Sequence, residues 1–428
     1  MRPLLLLSTL LLAACAGHGL HLKKDPPVNP LSQIKADLAF SCQHERIPEA
    51  AADSDLLFKY ARWLQKNNQL KQDPGVDAEI ERLYRIAAEN GHYKATINLL
   101  NGAMRGHFKV RGAERLRLSE ELIEAGVATG YYFVGIFLQR GAAGLREDQA
   151  MALRYYRKAA DEGSAQAQAL VADKLAPIAI APDIARQMRR CAAEQGHGDA
   201  ATDLGVDLSG DGHYQEALEA FQLGVAAGDE TSAGFLDDGF RGPDPTDRLN
   251  YLGQPEDLER AERYNKIWRI LANYSYAHPT VPEINEIVPL PPAKLPPWDG
   301  TLQWLQEREA NVPPPKPSDA LIRQLAKARQ LDPASGRPLP ASPNFIAVDF
   351  PAPVCDSGQP CPQAGYWQAV ALADKRFTRI REGEIRRFAE GEILPRLVVR
   401  QRHPRIWPLP DRITVGEAPI EWRMLGEA

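Results

Sequence analysis

Ala-Ala-Glu-Asn-Gly91, Gly-Val-Ala-Thr-Gly130, Ala-Ala-Asp-Glu-Gly163, Ala-Ala-Glu-Gln-Gly196 and Gly-Val-Ala-Ala-Gly228 are one phrase written five times. The glycines lie 130 − 91 = 39, 163 − 130 = 33, 196 − 163 = 33 and 228 − 196 = 32 residues apart. A period in the low thirties is the length of a stacked helical pair, whose units bury their apolar faces on one another. Small residues four before each glycine (Ala87, Gly126, Ala159, Ala192, Gly224) allow close helix approach. Residues four after it (Ala95, Val134, Ala167, Ala200, Ser232) and eight after it (Leu99, Leu138, Val171, Leu204, Leu236) share one helical face. The glycine falls between two helices, where a left-handed backbone is needed. The body of the chain is therefore expected to be an α-solenoid.

Within it, Ala150-Met-Ala-Leu-Arg-Tyr-Tyr-Arg-Lys-Ala-Ala-Asp-Glu-Gly163 resembles the end of helix B in the Sel1-like repeat family, relatives of tetratricopeptide repeats. Ala200-Ala-Thr-Asp-Leu-Gly205 resembles that family's helix A. The likeness implies an architecture rather than a chemistry.

The N-terminus is a targeting segment. Arg2 supplies a positive start, and Pro3 to Leu12 is Leu-rich but too short to span a bilayer as a helix. Leu12-Ala13-Ala14-Cys15 then resembles the lipobox of bacterial lipoproteins, which implies acylation of Cys15. Ala16 in place of Asp favours the outer membrane over the inner, and more than one acyl chain anchors stably. The expected location is the periplasm, at a membrane. The whole chain carries a net charge of −5, and losing Arg2 makes the mature protein slightly more acidic. That balance is no nucleic-acid footprint.

At 428 residues the chain should hold more than one domain. Residues 15–50 read as a tether, and a capping helix follows Asp53-Ser54-Asp55, with Leu57, Tyr60, Ala61 and Leu64 at helical spacing. Helical pairs run to about Phe240, Gly242-Pro-Asp-Pro245 interrupts them, and a further helix spans Pro255 to Ala272. From Pro279 to Pro317 prolines alternate with Ile284, Ile287, Val288, Leu295, Trp298, Leu302 and Trp304, which predicts an extended strap packed on the solenoid. After Pro343 the strand-like runs are Phe345–Phe350 and Ile393–Arg400; Tyr366–Leu372 reads as strand or helix, and Ile413–Val415 with Pro419–Leu425 as a closing hairpin. The expected α+β organisation is a signal peptide over 1–14, a lipidated tether over 15–50, a Sel1-like solenoid over 51–275, a Pro/Trp-rich strap and helix over 276–342, and a smaller C-terminal α+β domain over 343–428.

Beyond Cys15 there are four cysteines. Cys355-Asp-Ser-Gly-Gln-Pro-Cys361 can turn through Gly358 and Pro360, so a disulfide is expected there, whereas Cys42 and Cys191 either pair or stay free and buried. No second Cys or His pair lies at zinc-finger spacing. The sequence holds no His-Glu-x-x-His, Gly-x-Ser-x-Gly or phosphate-loop pattern. His92 and His197 each follow a repeat glycine and are explained by that position. Asp237-Asp238, and Asp207 with Asp211, lack the ligand alternation of a calcium loop and read as acidic helix ends. Tyr131-Tyr132-Phe133 reads as core before binding platform. No cofactor, metal or active site is expected, and the chain reads as a binding protein rather than an enzyme.

Pro282-Glu-Ile-Asn-Glu-Ile-Val-Pro-Leu-Pro-Pro-Ala-Lys-Leu-Pro-Pro-Trp-Asp-Gly300 and Thr301-Leu-Gln-Trp-Leu305, with Gly365-Tyr-Trp-Gln368 and Ile420-Glu-Trp-Arg423, resemble the C-terminal part of Sel1-repeat lipoproteins of Gram-negative bacteria. That resemblance implies an immunity protein for a type VI secretion phospholipase effector of phospholipase D type. The alternative is an envelope scaffold that assembles other proteins through its repeats. Aligned with tetratricopeptide repeats, the concave positions fall at Asn101, Arg140, Gln166, Asp173, Asp199, Thr202 and Asp238, where acidic residues would meet a cationic phosphate-binding site on the partner.

Overall fold

The computed structural model describes residues 37–110, 112–177, 181–347, 352–372, 375–379, 384–403 and 412–427. Cys15 and the stretch expected to be a targeting segment lie outside them.

Twelve helices stack in pairs: α1 (Ala52–Asn68), α2 (Pro74–Glu89), α3 (Tyr93–Met104), α4 (Gly112–Glu124), α5 (Thr129–Arg140), α6 (Gln149–Asp161), α7 (Ala165–Leu175), α8 (Pro182–Glu194), α9 (Gly198–Gly210), α10 (Tyr214–Ala227), α11 (Glu230–Phe240) and α12 (Leu258–Asn273). Local chemistry starts many of them. Asp73, Asp148, Ser164, Asp229 and Asp257 each accept a hydrogen bond from an amide two or three residues on, satisfying a donor the helix cannot. His92 and His197 do the same through Nδ1, accepting from Ala95 and Ala200. Both follow a repeat glycine because that position is an N-cap.

The turn glycines are Gly91, Gly126, Gly163, Gly196 and Gly228, all with positive φ. The second is a correction to the expected register: Gly126, with φ of 74°, makes the turn, and Gly130 lies inside α5. There a Cβ would sit 2.6 Å from the Ser119 carbonyl oxygen, so Gly130 serves close helix contact. The intervals become 126 − 91 = 35 and 163 − 126 = 37, which removes the outlying 39. In that register the residues four after the turn (Ala95, Gly130, Ala167, Ala200, Ser232) and eight after it (Leu99, Val134, Val171, Leu204, Leu236) are all buried.

After α12 the chain turns back. Val281, Ile284, Val288 and Leu302 are fully buried against α10 to α12, and the Val281 amide donates to the Ala226 carbonyl at 2.9 Å. Short helices α13 (Ile284–Ile287) and α14 (Gln303–Ala310) punctuate the strap. Beyond α14 it reaches the opposite end of the solenoid. Asn311 and Asn67 exchange side-chain amide hydrogen bonds of 2.7 and 3.2 Å, and Trp63 Nε1 donates to Asn311 Oδ1 at 3.1 Å. Helix α15 (Asp319–Ala328) follows, with Ile322, Ala326 and Leu331 in the same core as Leu57, Ile80 and Leu83 of the first helices. The strap thus bridges the last repeats to the first.

Gly228 is a tight point in that bridge. Its φ is 89°, and an added Cβ would lie 1.8 Å from the Pro279 carbonyl oxygen. Gly228→Ala should therefore destabilise by at least about 2 kcal/mol, combining left-handed strain with loss of strap docking. Limited proteolysis should show new cleavage between residues 276 and 302; an unchanged pattern would show that the strap holds without this contact.

The C-terminal segment is β-structure wherever it is regular among the described residues, so the helical share of the α+β fold comes from the body of the chain. Strands β1 (Val354–Asp356), β2 (Gly365–Leu372), β3 (Lys375–Arg379), β4 (Ile385–Phe388) and β7 (Ile420–Glu427) form one antiparallel sheet, in which β2 pairs with β3, β4 and β7. Strands β5 (Leu397–His403) and β6 (Arg412–Ala418) pair with each other. The expected closing hairpin is corrected: β6 and β7 are separated by Pro419 alone but enter different sheets, because β7 alternates buried and outward residues against β2 while β6 pairs β5. Residues 345–347 form no strand, and 348–350 lie outside the described residues. Trp367 and Trp422 are fully buried, with Phe388 edge-on to Trp422 at 5.1 Å.

Candidate partner-binding cavity

Helices α1, α3, α5 and α7 contribute residues to a common cavity, and an N-terminal arm lies along α5 to α8. Arg157 Nη1 and Nη2 donate to the Leu38 and Ala39 carbonyls at 3.1 and 2.6 Å, Gln168 Nε2 to the Gln43 carbonyl at 2.9 Å, and the Glu45 amide to Gln195 Oε1 at 2.8 Å. The Glu45 carboxylate accepts from the Thr129 amide at 2.5 Å and its hydroxyl at 2.9 Å, capping α5. A disulfide between Cys42 and Cys191 fixes the arm to α8.

The disulfide expected between Cys355 and Cys361 is a correction, since both are free thiols. Cys361 is buried and donates to the Gln363 carbonyl at 3.1 Å, while Cys355 lies 3.8 Å from the Asp356 and Pro360 carbonyls. Burial pushes both thiols above their ordinary range, which disfavours the thiolate that disulfide exchange requires. Among the described residues, Cys42, His44 and Cys191 form a group with metal-ligand spacing, and the disulfide uses both of its sulfurs.

Arm, solenoid and strap converge on three adjoining cavities that share Arg62 of α1. One, of about 480 Å³, lies between α1, α3 and the strap residues Tyr276 and His278. A second, of about 390 Å³, adds Glu45 and Ile47 of the arm, Lys94 of α3, Thr129 and Tyr132 of α5 and Gln166 of α7. The third, also about 390 Å³, runs from Lys59 and Lys66 to Trp304 and Pro314 of the strap. A polar relay stiffens the floor: Arg62 Nη1 donates to Gln65 Oε1 at 2.9 Å, as does the Tyr84 hydroxyl, which accepts from Asn98 Nδ2 at 3.3 Å. Beside it Arg308 is held 5.4 to 5.6 Å from the ring centres of Tyr274, Tyr276 and Trp304.

Of the residues expected on the concave face, Asn101 and Gln166 line these cavities. Arg140, Asp173, Asp199 and Asp238 are exposed and line none of the three, and Asp173 pairs with Arg189 at 3.2 Å. Thr202 is engaged internally: its hydroxyl lies 2.5 Å from both Asp229 Oδ1 and Ser232 Oγ, binding α9 to the start of α11. Asp207 and Asp211 both receive Arg186, as befits solvated helix ends. Arg62, Lys94, Arg105 and His278 were not singled out in the sequence. Lys94, Asn98, Asn101 and Arg105 nevertheless recur at helical spacing opposite the apolar face of α3, a stripe that could have been read.

His92 sits beneath this surface, 3 % exposed and stacked on Phe58 with ring centres 4.2 Å apart. Its Nδ1 accepts from Ala95, so the proton is on Nε2, which faces Asp55 Oδ1 at 3.4 Å. Burial draws its pKa below the usual histidine value, with Asp55 pulling weakly the other way. The unfolded chain therefore takes the proton first. His92's contribution is present above the unfolded value of about 6.5 and is lost as pH falls through the folded one. Urea unfolding at pH 7.5 and 5.5 should show lower stability at pH 5.5 and a flatter profile for His92→Gln; equal slopes would remove His92 from the account. His278, depressed by burial and by Arg105 and Arg62, acts with the same sign in both proteins.

Fold and cavities together define the class: an α-solenoid of helical pairs, bridged end to end by a strap, with adjoining cavities around Arg62. Residues 232–339, from α11 through the strap, match the model of a domain of unknown function, DUF6396. No curated protein is significantly similar to the chain. The solved structures it resembles include PA5086 of Pseudomonas aeruginosa, at 25% identity over 59% of this chain and 95% of that one, with a TM-score of 0.46. Another is the immunity protein PA5088 of the same organism, at 24% identity over 59% of this chain and 94% of that one, with a TM-score of 0.47. A third is a Sel1 repeat protein of Oxalobacter formigenes, at 19% identity over 51% of this chain and 97% of that one, with a TM-score of 0.34.

Proposed function

We propose that the protein is a non-catalytic immunity protein, acylated at Cys15, held at the outer membrane facing the periplasm, and inhibitory to a type VI secretion phospholipase effector of phospholipase D type. The observation that carries this reading is the preorganised inner surface. Arm, α1, α3, α5, α7 and strap line adjoining cavities that share Arg62, and a disulfide and the Asn67–Asn311 pair lock the segments that wall them. A surface ordered before encounter loses little entropy on binding, as a tight protein inhibitor requires. The disulfide supports an oxidising compartment. A toxin acting in that compartment is met by a binder tethered there.

The test is a pull-down of the soluble protein, residues 16–428, against the product of the neighbouring effector gene, with phospholipase activity measured in the same tube. Capture with loss of activity is expected. Capture without inhibition would indicate a carrier or scaffold, and no capture by any adjacent effector would end the immunity reading. Palmitate labelling of the full chain, abolished in Cys15→Ser, tests the anchor.

A further inference from the structure

The adjoining cavities around Arg62 carry an excess of positive charge. Arg62, Lys94 and Arg105 line them and are in no ion pair among the described residues, and Arg62 donates to Gln65 instead. Three carboxylates share the lining, Glu45, Asp77 and Glu307, each fixed by a neutral donor (Thr129, Asn68, Gln303) that leaves its charge in place, against the four cations Arg62, Lys94, Arg105 and Lys66. Lys59 is neutralised by Asp55 at 2.6 Å. Burial, with Arg105 and Arg62 beside it, draws His278 below the usual histidine range, and burial, with Arg308 beside it and Glu307 opposing, draws Lys66 below the usual lysine range.

Between the cations stand amide side chains, Gln69, Asn98 and Asn101 among them, and Gln69 Oε1 is buried without a hydrogen-bond partner. Amides offer both a donor and an acceptor, which suits peptide groups. Spacing selects among anions. Lys94 and Arg105 lie on one face of α3, and 105 − 94 = 11 residues of helix separate them by about 16 Å. With about 16 Å between their backbone positions, these cations suit several anionic groups spaced along one chain better than a single phosphate. An extended peptide covers that distance in about five residues.

We infer that this cavity takes an extended acidic segment of a protein partner, with its carboxylates against Arg62, Lys94 and Arg105 and its backbone against the amides. Complementarity therefore runs opposite to the expectation from Asp173, Asp199 and Asp238, which lie elsewhere. The inference rests on the immunity reading only for the partner's identity.

Its test uses residues 16–428 and a fluorescein-labelled eight-residue peptide of alternating Glu and Gly, beside its Gln-for-Glu counterpart. Saturable binding of the Glu peptide is expected, at least tenfold tighter than the Gln peptide. Arg62→Glu and Arg105→Glu should each weaken it tenfold or more, while Lys174→Glu, an exposed change on α7 outside the cavities, should stay within twofold. Melting curves check that the variants are folded, and the two reversals lie on different helices. Equal binding of the two peptides, or reversals that bind as the parent does, would overturn the inference. So would Arg62-dependent binding of phosphatidylglycerol vesicles without peptide binding, which assigns the cavity to lipid. The effector separates the two readings. Capture of the parent and Arg105→Glu alike retains immunity and rejects this cavity, whereas Arg62-dependent peptide binding with no effector capture does the reverse.

Discussion

The Arg85→Ala variant is expected to lose about 3–5 kcal/mol of stability, because it strands two carboxylates in a buried site. Arg85 is 2 % exposed; its Nε donates to Glu81 at 2.9 Å, its Nη1 to Glu114, and its Nη2 to the Lys109 carbonyl at 3.2 Å. Glu81 also accepts from the Lys109 amide at 2.9 Å, so the network ties α2, the loop after α3 and α4 together. The far end of the strap rests on the same place. A Cβ on Gly336 would touch the Arg85 side chain, and Arg337 Nη2 donates to the Lys109 carbonyl at 3.3 Å. Urea unfolding and hydrogen exchange in α2 and α15 should both report the loss. Replacing all three charges together, with Arg85→Met, Glu81→Leu and Glu114→Leu, should cost far less than Arg85→Ala alone, since no buried charge is then left unpaired. A single substitution that costs under about 1 kcal/mol would mean that water reaches the site.

The second large effect is expected from Cys191→Ser. The Cys42–Cys191 bond closes a loop of 149 residues in sequence separation, and the chain-entropy model assigns such a loop about 5 kcal/mol as an upper figure, with about 2–4 typical. Melting of the parent should fall on reduction, whereas Cys191→Ser should melt low with or without reductant. The arm should also become more protease-sensitive, since its remaining hold is hydrogen bonds at Arg157, Gln168, Gln195 and Thr129 and the packing of Leu38, Phe40 and Ile47 on the solenoid. A parent protein indifferent to reductant would show that those contacts hold the arm without the disulfide.

The solenoid was legible because its signal is local and repeated. A turn glycine, an apolar stripe and a capping residue recur in each pair, and each acts within one helix of its neighbour. The misplaced Gly130 shows the weakness of that signal: Gly126-Val-Ala-Thr-Gly130 offers two glycines, and only packing of the second against Ser119 tells which one turns. The strap was legible through prolines interleaved with apolar residues, but not its destination. That is set by Asn311 meeting Asn67 across 244 positions of sequence. The disulfide failed for a related reason. Short spacing favoured Cys355 and Cys361, whereas pairing was decided by an arm lying across α8. The cavity was half-read: Asn101 and Gln166 follow from repeat position, whereas Arg62 comes from the atypical first helix and Glu45 and His278 from segments that belong to no repeat.

The bridge between the two ends also restricts how this molecule can change over generations. An open solenoid lengthens or shortens by gaining or losing a repeat, because each unit touches only its neighbours. Here a further pair would also have to be matched by the strap, which runs from Val288, buried on the last repeats, to Asn311, bonded to the first helix. Repeat number and strap length are thereby coupled. Diversification toward new partners falls more readily to substitution in the cavities, which leaves both unchanged.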